Sequence, residues 1–147
     1  MSRNTGTSLH AFELPCPLKL SLLWASMMFL YIYNDYFALY APGTIEMMSA
    51  GTMGPLGEAT DTIMLAVALL MAIPALMVFL SAGLPPALGK WLNVVFGAAY
   101  TCVNVATVFG SPPAYQFMVS IETVLSVSIV IAAFRWPRTR LLPAQAT

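Results

Sequence analysis

Four runs of predominantly apolar residues, at 20–40, 62–80, 91–109 and 114–134, divide this chain, and polar or proline-containing breaks separate them. Each is near the length a helix needs to cross a bilayer, about 20 residues at about 1.5 Å per residue against a hydrocarbon core of about 30 Å. The pattern predicts an all-α, four-helix transmembrane bundle, up-down-up-down. The breaks carry their own chemistry. Pro42-Gly43 should end the first helix, because proline cannot continue the hydrogen-bond ladder and glycine accepts a left-handed cap. Ser81-Ala-Gly-Leu-Pro-Pro separates the second span from the third. Gly110-Ser111-Pro112-Pro113 should make a tight turn in which Ser111 caps the fourth. The one long connection, 41–61, carries Glu46, Glu58 and Asp61; Asp61 or Thr60 is expected to cap the second span, with a binding lid as the alternative.

Composition strengthens the membrane reading. The chain of 147 residues is 59% hydrophobic and 8% charged, whereas soluble domains average about a quarter charged. Six basic and six acidic side chains cancel, so no strong field would gather nucleic acid, and none is expected as a partner. The two cysteines, Cys16 in a Pro-Cys-Pro turn and Cys102 inside an apolar run, are not expected to pair. Cys102 reads as a small buried apolar residue. With one histidine, His10, and no CxxC motif, neither a metal site nor a cofactor is expected.

Charge also orients the chain. Arg3 and Lys19 precede the first span, Lys90 lies between the second and third, and Arg135, Arg138 and Arg140 follow the fourth. Four crossings place these on one face, so the positive-inside rule puts both termini in the cytoplasm of a bacterial inner-membrane protein. Residues 1–18 then form a flexible cytoplasmic tail, 19–138 the four-span membrane domain and 139–147 a second tail. The first span reads as an uncleaved anchor. Trp24, Trp91 and Trp136 fall near the same inner boundary and read as interfacial anchors.

The stretch FLYIYNDYFALYAPG, residues 29–43, sets Asn34 and Asp35 inside hydrocarbon. Asp35 lies about 7 Å below the outer end of the first span and Glu122 about 12 Å below that of the fourth, at about 1.5 Å per residue. Asn104 of the third span falls near the depth of Asp35. A carboxylate at mid-bilayer costs about 2.5 to 3.5 kcal/mol on insertion scales. Asp35 and Glu122 should therefore turn toward each other inside the bundle, with Asn34, Asn104 and Tyr31 completing a polar cluster. No basic residue lies at that depth, so neutralisation must come from a proton, a cation or hydration. Tyr31 with Asp35, and Tyr115, Val119, Glu122 and Ser126, share helical faces; Gly97, Thr101 and Asn104 form a stripe, with Gly97 and Thr101 permitting close helix contact. Such groups can be interhelical glue, about 1 kcal/mol or less each, or functional. Pro74 reads as a kink whose freed carbonyl is satisfied by a neighbour.

The segments KLSLLWASMMFLYIYNDYFALYAPGTIE (19–46), AIPALMVFLS (72–81), KWLNVVFGAAYTCVNVATVFG (90–110) and IETVLSVSIVIAAFRWPR (121–138) resemble, in order and spacing, an uncharacterised bacterial family of small four-helix integral membrane proteins, a domain of unknown function. The resemblance implies an integral membrane protein and supplies no reaction. The family pattern has a small residue before the aspartate, where this chain has Asn34. The layout is similar to that of DoxX-like proteins, an analogy of architecture.

The leading reading is a protein that is not an enzyme, with two rivals. A non-enzymatic membrane component, interacting with the lipid bilayer and with a second copy or another membrane protein, fits four short helices that bury little. Proton-coupled or small-solute transport would use the two carboxylates. An intramembrane enzyme would need a nucleophile or electrophilic stabiliser beside them, and no Ser-His pair, HExxH motif or phosphate loop is found.

Overall fold

A computed structural model describes residues 13–137; most of the two expected tails, with Arg3, His10, Arg138 and Arg140, lies outside the described residues. The elements are α1 (Cys16–Ala38), a short α2 (Thr44–Ser49), a 3-10 turn (Gly54–Leu56), α3 (Asp61–Gly83), α4 (Pro86–Val108) and α5 (Pro113–Phe134). No strand occurs among the described residues, which hold one isolated bridge, Thr52 to Glu58. α1, α3, α4 and α5 are each long and apolar enough to cross a membrane. The protein is an all-helical, multi-pass membrane protein.

Two spans begin earlier than the hydrophobic pattern suggests. α1 starts at Cys16 rather than 20, and α4 at Pro86 rather than 91. Proline in a first helical turn loses nothing, since its missing N–H would have no partner there. Pro17 and Pro86 thus open their helices instead of preceding them. The first span also stops sooner, at Ala38, ahead of Pro42-Gly43. Gly43 has φ of 84° and leads into α2, a left-handed position that suits glycine. The 41–61 connection is therefore partly helical.

The caps divide. Thr60 Oγ1 accepts from the Ile63 N–H at 3.3 Å, so Thr60 caps α3. Ser111 does not cap α5. Pro112 occupies the cap position, and the Ser111 hydroxyl turns back to donate to Thr107 O at 2.7 Å.

Each inward face is a single stripe built from steps of three and four. α1 buries Leu20, Trp24, Met27, Tyr31 and Asn34; α4 buries Gly89, Asn93, Gly97, Tyr100 and Asn104; α5 buries Val119, Glu122, Ser126, Ile129 and Ala133. That spacing keeps one line of side chains facing the neighbouring helices. α1 packs on α3 and α5, α5 packs on α4, and α3 touches α4 only lightly. At Gly97 an added Cβ would stand 2.9 Å from Val130 Cγ2 and 3.1 Å from Ile129 Cγ2, so α4 and α5 meet where only glycine fits. Thr101 donates to Gly97 O at 2.7 Å, and its hydroxyl lies 2.9 Å from Ser126 Oγ.

Pro74 is buried inside α3. Its missing N–H frees the carbonyl one turn back, on Leu70. The Tyr100 hydroxyl of α4 donates to that carbonyl, so a neighbouring span completes the broken ladder.

At one end of the bundle the start of α1, the end of α3, the start of α4 and the end of α5 come together. Ser21 donates to Val78 O at 2.6 Å, the Cys16 thiol to Ala132 O at 3.6 Å, and Lys90 to Phe134 O at 3.4 Å. Trp24, expected at the lipid interface, is instead fully buried here among Leu20, Met27 and Met77. Trp91 is exposed, as an interfacial residue would be. Cys102, expected inside, is exposed on the outer surface of α4, one step round from the Tyr100 to Asn104 stripe.

Candidate functional site

The buried polar groups fall into two sets, one at each end of α4. The first surrounds Asn93, which α4 carries inward one turn after Gly89. Asn93 Oδ1 accepts from the Trp24 indole N–H at 2.7 Å and from the Ser81 hydroxyl at 3.0 Å, while its amide donates to Gly89 O at 2.8 Å. Trp24, Ser81 and Asn93 are all fully buried. The Trp24 and Tyr100 rings meet edge to face with centroids 5.8 Å apart, and Tyr100 leans on Tyr31 at 6.4 Å. This aromatic column fills the bundle from its closed end toward the second set.

The second set contains Tyr31, Asn34, Asp35, Asn104 and Glu122, and all five line one cavity of about 160 Å³ between the four long helices. The Tyr31 hydroxyl donates to Asn104 Oδ1 at 3.0 Å. Glu122 is 1% exposed and Asn104 3%, yet Glu122 Oε1 and Asn104 Nδ2 have no hydrogen-bond partner. One atom is an acceptor and the other a donor, both on the cavity wall. Leu70, Met71, Tyr100, Val103, Thr107 and Tyr115 complete the lining.

The expectation that Asp35 and Glu122 both turn into the bundle needs correction at Asp35. Both border the same cavity, but Glu122 is buried whereas Asp35 is exposed on α1. The inward register of α1 runs through Tyr31 and Asn34, and Asp35 lies the next step round the helix. Spacing alone had paired Tyr31 with Asp35, four residues apart; the stripe steps by three at that point. In α4 the same displacement puts Tyr100 on the buried line and leaves Thr101 half-buried at its edge.

Asn93 and Ser81 escaped the sequence reading. They stand near helix ends, where a polar residue suggests the water boundary. The signal was the regular spacing Gly89, Asn93, Gly97, Tyr100, Asn104, which continues one stripe across that boundary.

Beyond Asn34 and Tyr115 a second, apolar pocket of about 410 Å³ lies between the end of α1 and the start of α5, walled by Phe37, Ala38, Ala114, Phe117 and Met118 and bordered by Thr44 of α2. Asn34 and Tyr115 line both spaces. Among the described residues no three His, Cys, Asp or Glu side chains gather as a metal would require.

A four-helix membrane bundle, packed at one end and holding a carboxylate-lined polar cavity at the other, is the class this architecture defines. The chain belongs to the family of unknown function DUF6326, which it matches over residues 12–143. That agrees with the resemblance read from its four segments. No curated protein and no solved structure matches it.

Proposed function

We propose that this protein is a non-enzymatic, multi-pass component of the bacterial inner membrane that receives a small guest bearing a hydrogen-bonding group, water included, in the outer half of the bilayer. The supporting observation is the orphaned pair: Asn104 Nδ2 and Glu122 Oε1 are buried without partners on the wall of one cavity. Buried polar groups are nearly always satisfied, and leaving one unpaired costs about 1–3 kcal/mol. Groups acting only as interhelical glue would bond each other, as Asn93 and its neighbours do. A guest that both donates and accepts removes the cost.

Orientation follows from charge. Lys19, Lys90 and Arg135 cluster at the Asn93 end, while Glu46, Glu58 and Asp61 lie in or beside the connection at the other. The positive-inside rule puts the Asn93 end and both termini in the cytoplasm and opens the cavity end outward. The exposed apolar side chains of α3, among them Leu65, Leu69, Leu76 and Phe79, are left for lipid, a second copy or a partner helix.

Hydrogen–deuterium exchange followed by infrared spectroscopy in nanodiscs tests the cavity. The Glu122 carboxyl band, assigned by its loss in E122Q, should respond within seconds of D2O addition. The Trp24 indole should remain protonated for far longer. Equal protection of the two groups would refute a guest-accessible cavity.

Transport is the second reading, favoured by the two carboxylates set one behind the other, Asp35 at the exposed wall and Glu122 inside. It requires pH-dependent flux in reconstituted vesicles that is lost in the D35N/E122Q double variant. Flux that is flat with pH and unchanged in that variant would exclude it.

A further inference from the structure

We propose that the cavity and the adjoining apolar pocket together form one binding site for a compact apolar molecule bearing a single hydroxyl group, an alcohol or a phenol. This rests on the guest-receiving role above and names the chemical class of the guest. The polar requirement is set by the two orphaned atoms. Asn104 Nδ2 needs an acceptor, because its companion Oδ1 is already used by Tyr31. Glu122 Oε1 accepts a hydrogen bond both in the carboxylate and in the acid whose proton sits on the other oxygen, and so needs a donor. An ether or ketone serves only the amide, and an ammonium serves only the carboxylate. A hydroxyl group serves both through one oxygen, receiving the Asn104 N–H and giving its own proton in a hydrogen bond to Glu122.

The apolar requirement comes from the second pocket. Its volume of about 410 Å³ falls within the range of about 300–1,000 Å³ common for small-molecule sites. Phe37, Phe117 and Met118 give it aromatic and thioether walls, and α2 borders it through Thr44. Neither space alone suits an amphiphile: the polar cavity, about 160 Å³, is small, and the apolar pocket has few groups to orient a guest. Asn34 and Tyr115, common to both, stand at their junction. A guest lying across that junction puts its hydroxyl against α4 and α5 and its body between α1 and α5.

The ends of the bundle dictate the direction of entry. Trp24, Met27, Met77 and Ile129 fill the core toward the cytoplasmic end without exposed surface, whereas the apolar pocket lies among the outward ends of α1 and α5. The guest therefore enters from the outer leaflet or its interface, body last, with its hydroxyl pointing toward the bundle axis. That polarity is opposite to that of a membrane lipid, whose headgroup points to water.

Three probes on one propylphenyl frame separate the requirements: 4-propylphenol, 4-propylanisole, which can accept but not donate, and propylbenzene, which does neither. Equilibrium dialysis against nanodiscs with and without the protein removes the contribution of lipid partitioning. Saturable binding of 4-propylphenol is expected, weakened about tenfold or more by loss of the hydroxyl, since a site built around hydrogen bonds penalises a guest that leaves them open. E122L should abolish that preference. A114F, which fills the apolar pocket away from Glu122, should weaken 4-propylphenol while leaving rapid exchange of the Glu122 carboxyl intact; A38F provides the same test from α1. Equal binding of all three probes, or no saturable binding, together with rapid Glu122 exchange would overturn the hydroxyl assignment and leave the guest-accessible cavity standing. A Glu122 carboxyl as protected as Trp24 would overturn both.

Discussion

Asn93 and Asn104 are the same residue on the same stripe of the same helix, about three turns apart, and their surroundings differ in every respect that matters. Asn93 has all of its recorded hydrogen bonds within the protein: two donors converge on its oxygen and its amide finds a carbonyl. Asn104 has one bond, from Tyr31, and its amide faces a cavity shared with Glu122. The first arrangement is what structural glue looks like when complete. The second leaves a donor and an acceptor for something else. A buried asparagine in a membrane helix thus has no fixed meaning; its meaning lies in whether the neighbours use up its valences.

The strongest way to break this contrast is to remove the column that closes one end. Trp24→Ala deletes a fully buried ring and leaves Asn93 and Ser81 beside a void. Such truncations cost about 3–5 kcal/mol in well-packed cores, and the expected result is loss of the folded state at moderate temperature in micelles, read by helical circular dichroism. Next is Gly97→Val. Its methyl groups would collide with Val130 and Ile129, and overpacking of this kind costs about 1–3 kcal/mol. Gly97→Ala should cost less, because it adds one carbon at the contact where valine adds three. Equal stability of wild type and Gly97→Val would mean that α4 and α5 approach less closely than described.

The contrast itself is measured by Asn93→Ala against Asn104→Ala. The first strands the Trp24 indole and the Ser81 hydroxyl and is expected to cost about 2 kcal/mol. The second loses only the Tyr31 bond and removes an atom that was already unpaired, so it should cost about 1 kcal/mol or less. Denaturation in mixed micelles by graded detergent gives both numbers on one scale. A larger loss at Asn104 would make it the structural residue of the pair.

Much of this molecule was legible before any coordinates. The four spans follow from length and apolar content alone, because a bilayer allows so few alternatives. The conjunction of Tyr31, Asn34, Asp35, Asn104 and Glu122 around one space was legible from depth, which helix rise converts from residue number. Rotation was less so. Successive residues on a helix are turned by about 100°, so the placement of Asn34 rather than Asp35 on the inward face turns the acid out of the core. Trp24 misled for a related reason: tryptophan near a span end usually marks the interface, but whether its indole meets headgroups or a buried carbonyl depends on Asn93, a residue far away in sequence. The helix starts were missed because proline reads as a breaker, whereas at the first turn it breaks nothing.

A small expected effect is the most discriminating. Glu122→Gln keeps the shape and volume of a fully buried side chain but replaces a carboxyl group by a neutral amide. If Glu122 held the bundle together, the substitution would weaken it, as removing one partner from a satisfied buried pair does. Glu122 Oε1 is unpartnered, so the substitution breaks no bond at that atom, while the amide brings N–H donors of its own into the cavity; stability should stay within about 1 kcal/mol of wild type. Asp35→Asn, at the exposed wall, should move it less, within about 0.5 kcal/mol. A site residue that is neutral to stability while the guest response depends on it is the usual trade between function and fold. The detergent titration that ranks the asparagines therefore also decides this point: a Glu122→Gln protein less stable than wild type by about 1 kcal/mol or more would return the cavity acid to the class of Asn93, as a structural group with a partner.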